Sequence, residues 1–265
     1  MILLHLRARP GVAGRVARGG GGLLVLLLAG QVIFGAADGS IPVPAAVLHT
    51  VWRLGTGGEL GAALGYTAQV SAVGLALAVL VAVPCGLLLG AIPVAGAAAR
   101  HLVELLRPIP SVALVPIALL LADSIEQVHL IVTAYASCWP VLLATVYAVQ
   151  QVDPLRIETA RVYGSGRMAT AVRVLLPSAV PGIVTGVRTA VAVAVVVAVG
   201  SEIVGGGDAG LGGLAVAAAQ TDGSGATVLA CALAAAVLGL AGDLVVRAAR
   251  TLVGGWQDHI GAGAS

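Results

Sequence analysis

From Tyr66 to Ile92 the chain carries no charged side chain, and the polar ones, Thr67, Gln69 and Ser71, stand near the start. Crossing a bilayer as a helix takes about 20 apolar residues, so the block is long enough to span one. Inside hydrocarbon the backbone must satisfy its own hydrogen bonds, and a single segment does so as a helix. Comparable blocks lie at about Val128 to Val149, Gly182 to Val199 and Ala226 to Val246, and a shorter one at Leu23 to Ala37. Between Val94 and Leu121 the apolar pattern is broken by Pro108, Pro110 and Pro116. Its first half carries Arg100, His101, Glu104 and Arg107 at helical spacing. That stretch reads as an interfacial or pore-edge helix leading into a kinked span.

Hydrophobic residues fill 59% of the 265 positions and charged residues 10%, with a mean hydropathy of +1.04. A soluble domain has roughly a quarter of its residues charged. The chain therefore reads as an all-α polytopic membrane protein of about six spans. A cytoplasmic tail is expected at 1–22, one transmembrane domain at 23–252 and a second cytoplasmic tail at 253–265. The basic start before Leu23 is similar to a signal peptide, but the spans that follow favour a retained first helix. Cys85, Cys138 and Cys231 all lie in apolar blocks without motif spacing, and the histidines are scattered singly. No metal, cofactor or catalytic residue is expected.

Six spans put both termini on one side. With that topology Arg7, Arg9, Arg15, Arg18, Arg100, Arg107, Arg156, Arg161, Arg167, Arg173, Arg188, Arg247 and Arg250 fall on or next to one face, and Arg53 on the other. Positive residues collect on the cytoplasmic side, so both termini and the Arg-rich loop between the fourth and fifth spans are expected there.

That loop has internal order. Asp153 suits an N-cap and Pro154 the first turn, so DPLRIETARVY starts a helix cleanly. Glu158 and Arg161 are spaced to pair on its surface. Gly164 stands where a left-handed C-terminal cap belongs, and a second helix from about Arg167 to Leu175 is expected to stop before Pro177.

Glu158, Ala160 and Gly164, followed by Val174, Leu176 and Pro177, resemble the E-A-A signature of the permease subunits of bacterial ATP-binding cassette importers. Thr159 replaces the usual second Ala. IPVP, GEL, RPIPSVALVP, DPLRIETARVYGS, LLPSAVPGIVTGVR and SEIVGGGDAGLGGL, in that order, are similar to the nitrate, sulfonate and taurine branch over roughly residues 41 to 256. ADSIEQ departs from it at the turn before the fourth span. The resemblance implies a MetI-like fold in the bacterial plasma membrane, working by alternating access on a small anion such as a sulfonate, taurine or nitrate. It also implies a homodimer, separate ATP-binding cassette ATPase subunits and an extracytoplasmic substrate-binding protein. The coupling contact to the ATPase falls on Glu158, Thr159, Ala160, Arg161, Gly164 and Pro177.

Candidates for the substrate pathway are the helix-breaking Pro108 and Pro110, Ser137 in the fourth span, and Glu202, an acid near membrane depth. Gly210, Leu211 and Gly212, in a glycine-rich outer segment from Ser201 to Gly225, are candidates to face the binding protein. Asp243 and Arg247 are spaced to pair in the last span. Lipid is the expected surround, and nothing points to nucleic acid. The chain has no G-x-x-x-x-G-K-[ST] loop and no Lys at all, so any ATP hydrolysis belongs to a partner. Two rival readings, an ion- or proton-coupled secondary transporter and a membrane-embedded enzyme, would need mid-span carboxylates or facing His, Asp and Glu clusters. The spans supply few.

Overall fold

The computed structural model describes residues 42–92, 96, 109–220 and 225–261, with side chains as far as 249 in the last of these. The expected first span, the tail at 1–22 and Pro108 lie outside the described residues. Among the described residues all regular structure is helical. Helix α1 is Pro44–Thr56, α2 Glu59–Ala91, α3 Val115–Leu121 after a tight turn at Ser111–Leu114, and α4 Ile125–Gln150. Then come α5 Pro154–Val162, α6 Arg167–Gly205, α7 Gly210–Ala219 and α8 Gly225–Gly261. Four of them, α2, α4, α6 and Gly225–Ala249 of α8, are long and apolar enough to cross a membrane.

Small residues set how these helices meet. Along α2, Gly74, Ala78, Ala82, Gly86 and Gly90 recur every fourth position and form one stripe. A Cβ on Gly74 would lie 2.8 Å from Thr133 Cγ2, one on Gly86 2.6 Å from Thr145 Cβ, and one on Gly90 2.7 Å from Val149 Cβ. The partner positions on α4 rise with those on α2, so the two helices run parallel at close range. Helices in lipid gain no hydrophobic drive from meeting each other, and such close backbone approach supplies the van der Waals contact instead. Parallel neighbours also mean that the stretch between Ala91 and Ile125 carries the chain back to the end where α2 began.

The other side of α4 receives α6. Gly182 packs on Ala148, and Gly186 on Ala144 and the Pro140 carbonyl. Here the numbers run in opposite senses, so the pair is antiparallel. The stripe continues along α6 through the buried Ala190, Ala194 and Ala198 to Glu202. Helix α8 then lies antiparallel on α6, with Gly242 against Val191. Leu54 of α1, Leu60 and Ala63 of α2, Leu211 and Ala215 of α7, and Cys231 and Ala234 of α8 form a separate cluster at the far end.

Three sequence expectations change. The second helix of the loop does not stop before Pro177; it continues as α6 to Gly205, so the fifth span begins well before Gly182. Pro177 lacks an N–H, and its ring crowds the carbonyl four residues back. The chain answers by widening into a π turn at Ala171–Leu175 and passes through Pro177 as helix. The segment from Ser201 to Gly225 is not simply an outer loop: α6 runs to Gly205 and α7 occupies much of the remainder. Burial of the fully enclosed Leu211 outweighs the helix-weakening glycines around it. Finally, α8 extends through Gly261 rather than ending near Val246, because no proline interrupts the sequence after Gly225.

Candidate functional site

Helix α5 is short, and its ends are tied. The Asp153 carboxylate accepts the Leu155 N–H at 2.9 Å and Pro154 opens the first turn. At the other end Gly164 adopts φ of 76°. Its N–H donates to the Arg161 carbonyl at 2.9 Å, and the Ser165 N–H donates to the Ala160 carbonyl at 3.0 Å. These two bonds make a Schellman cap, which needs a residue free to take positive φ. The Thr159 hydroxyl, on the residue that departs from the E-A-A pattern, donates to the Leu155 carbonyl at 2.7 Å and stays within the helix.

The two faces of α5 differ. Ile157 packs into the cluster of Val149, Leu175, Ala179 and Ile183, which fixes α5 to the ends of α4 and α6. Glu158, Thr159 and Arg161 are exposed on the surface, and Pro177 is half-buried where α6 begins. Among the described residues the ion pairs are those of Arg188 and Arg247 with Asp243; Glu158 and Arg161 stand apart, as a weak pair on an exposed helix readily does. Sequence reasoning missed the apolar members of this surface. Leu155 and Val162, seven apart and so on one helical face, are exposed, as are Tyr163 and Met168. Their signal was available in that spacing, since apolar residues on the outer side of a solvent-facing loop call for a partner. Behind the loop, Tyr147 of α4, Gln151 just past its end, Asp153, Arg156, and Ser178 and Thr185 of α6 line a groove of about 550 Å³.

At the opposite end of α6 the structure gathers four candidates into one node. The Thr67 hydroxyl lies 2.9 Å from Glu202 Oε1 and 3.1 Å from Oε2, and donates to that carboxylate. The Gly212 N–H donates to Glu202 Oε2 at 2.8 Å, and the Leu211 N–H donates to Thr67 Oγ1 at 2.9 Å. Glu202 has no exposed surface, and Gly210, Leu211 and Gly212 are buried beside it. A Cβ on Gly210 would collide with the Glu202 carboxyl group, and one on Gly212 would lie 2.6 Å from Glu202 Cβ. The acid thus closes the start of α7 against α2 and α6, its oxygens accepting at a helix N-terminus where backbone N–H groups are otherwise unpaired. Thr67 was visible in the sequence only as a polar residue early in its span; its partner is 135 positions away.

The remaining candidates lie apart from this node. Ser137 is fully buried on the α4 stripe that faces α2, and its hydroxyl, like those of Ser71 and Thr133, has no hydrogen-bond partner. Pro110 is exposed at the start of the turn before α3. The divergent ADSIEQ stretch is a helix cap, with Ser124 Oγ accepting the Gln127 N–H at 3.3 Å. Asp243 pairs with Arg247 as its spacing predicts, and also with Arg188, which ties α8 to α6. Among the described residues no group of His, Cys, Asp and Glu is arranged to hold a metal.

Residues 74–253 match the family described as the binding-protein-dependent transport system inner membrane component. The chain belongs to this family. It is accordingly a multi-pass inner-membrane permease of the importer type, a transport subunit and not an enzyme. A nitrate import permease protein of Synechocystis is 27% identical over 63% of this chain and 64% of its own length. A probable ABC transporter permease protein of Brucella abortus is 29% identical over 92% of this chain and 94% of its own length. A bicarbonate transport system permease protein of Synechocystis is 31% identical over 57% of this chain and 52% of its own length. The permease reading displaces the secondary transporter and membrane-enzyme alternatives, and family membership implies ATPase and binding-protein partners in general.

Proposed function

We propose that this permease carries a small oxyanion inward, as one of two identical copies, and that α5 is its contact with a separate ATPase. The contact comprises Glu158, Thr159, Ala160, Arg161 and Gly164 with the exposed Leu155, Val162 and Tyr163, while Pro177 sits where the loop joins α6. The single observation that carries this reading is the continuity of α6. It runs without a break for 39 residues, from the loop at Arg167 to the node at Glu202 and Gly205. At 1.5 Å per residue it is about 58 Å long, well beyond the thickness of a hydrocarbon core. A stiff rod of that length carries a displacement of α5 to the far end of the membrane. Ile157 and its cluster prevent the loop from absorbing the movement locally. Alternating access needs such a rigid element, driven by closure of the ATPases.

The Arg-rich loop is cytoplasmic in this reading, and both termini lie with it. Glu202, Gly210, Leu211 and Gly212 then serve the outer end as a clasp for α7. The exposed turn between α6 and α7, Gly206, Gly207, Asp208 and Ala209, is offered to the extracytoplasmic binding protein. The oxyanion assignment is drawn from the nitrate and bicarbonate permeases among the relatives.

The test is uptake by the assembled importer. Glu158→Arg is expected to abolish uptake and co-purification of the ATPase while the chain still inserts and keeps its thermal midpoint; Gly164→Trp, which also strains the positive-φ cap of α5, is expected to abolish both with the chain still inserted. Uptake at the normal rate in either variant would sink the coupling assignment.

A further inference from the structure

Asp243 of α8 accepts Arg188 Nε at 2.8 Å through Oδ1 and Arg247 Nε at 2.6 Å through Oδ2, with Arg188 Nη2 at 3.4 Å from Oδ2. All three residues lie on helices that cross the membrane, Arg188 within α6 and the other two within Gly225–Ala249. Two guanidinium groups therefore share one carboxylate, and the cluster keeps one positive charge. A charge at membrane depth is expensive unless it is paired or faces water, and it marks a solute path more often than a lipid face. Arg188 and Asp243 are both partly exposed. Along α6, Thr185 and Thr189 form the exposed side next to Arg188, and their hydroxyls donate to the Pro181 and Thr185 carbonyls. Thr185 also lines the groove behind α5, one helical turn from Arg188. The groove has its own charges, Asp153 and Arg156, of which Asp153 is engaged in capping α5.

We propose that Arg188 contacts the transported oxyanion at the inner mouth of the pathway, with Asp243 holding its guanidinium in place. Asp243 takes Nε and one N–H of Nη2, leaving the Nη1 edge to offer N–H donors to an anion. A planar guanidinium matches the oxygens of nitrate, bicarbonate or a sulfonate, an arrangement a point charge does not reproduce. The shared carboxylate also weakens the hold on a passing anion, and a conducting site must release as well as bind. A lipid phosphate presents the same oxygens, so the test separates the two sources.

This inference rests on the oxyanion reading above. The complete importer, with its ATPase and binding protein, is reconstituted in proteoliposomes and offered labelled nitrate, bicarbonate or taurine. Wild type is expected to accumulate at least one of them; accumulation of none overturns the oxyanion reading itself. Arg188→Gln is expected to lower maximal uptake about tenfold, the size of one charge-assisted hydrogen bond, without moving the half-saturating concentration set by the binding protein. Arg188→Lys is expected to recover part of the loss. The double variant Arg188→Gln/Asp243→Asn restores a neutral hydrogen-bonding pair between α6 and α8 and is expected to remain slow. Full recovery in the double variant would mean that the pair only holds the helices together, and would overturn the proposal. Unchanged uptake in Arg188→Gln would overturn it with the oxyanion reading intact. A loss that appears only in phosphatidylglycerol vesicles, and not in phosphatidylcholine, whose phosphate is neutralised by its choline, would assign Arg188 to the phosphate of an anionic lipid instead.

Discussion

At its α7 end α6 carries Glu202, fully buried, with Thr67 and the Gly212 N–H donating to its carboxylate. At its loop end the same helix leads into residues where Val162 and Tyr163 are each 84% exposed. One end is polar and closed, its hydrogen bonds spent within the chain. The other is partly apolar and open, with its backbone capped and its side chains free. A buried polar node costs heavily to disturb, because each orphaned group pays its full desolvation. An exposed capped helix costs little to alter, and its apolar side chains gain only when something covers them. The contrast separates a place where substitution damages the fold from a place where it damages only a partnership.

Glu202→Leu is the strongest way to break that comparison. It leaves the Thr67 hydroxyl and the Gly212 N–H without their acceptor, at about 3 kcal/mol, read as a lowered thermal midpoint in detergent. Glu202→Gln keeps an acceptor oxygen and is expected to lose less than half of that. A midpoint unchanged in Glu202→Leu would show that α7 is held by apolar packing alone.

Gly86→Val sharpens the point where α2 packs on α4. The added side chain must displace Thr145, and overpacking of this kind costs about 2 kcal/mol. The matching change at Gly239, which has nothing within 4 Å of a built Cβ, is expected to be nearly neutral. Equal losses at the two positions would refute the small-residue packing of α2 on α4.

Asp153→Ala is the mildest of the three. It removes the N-cap of α5 and costs about 1 kcal/mol of local helix stability, seen as faster amide exchange in Pro154–Val162 with little change in the global midpoint. Loss of the whole fold would place α5 within the structural core and collapse the distinction between the two ends.

The loop was legible because its signals are local. Asp153, Pro154 and Gly164 act on backbone groups within a few residues, and spacing alone identifies their roles. The end of the loop was misjudged at Pro177, since the π turn that carries the helix past a proline leaves no mark in composition. The buried node was only half legible. Glu202 stood out as an acid at membrane depth, but whether such an acid faces a solute or caps another helix depends on what packs against it.

Sequence by itself determined that this chain lies in a membrane, that its Arg-rich loop caps a short helix, and which residues are small enough for close helix contact. Tertiary structure alone decided that α2 and α4 pack directly on each other, that Glu202 spends its oxygens on Thr67 and α7, and that Arg188 shares Asp243 with Arg247. The division has a physical basis. Hydropathy, capping and propensity act over one to four residues, whereas Thr67 meets Glu202 across 135 positions and Arg188 meets Asp243 across 55, at distances that only the packed helices set.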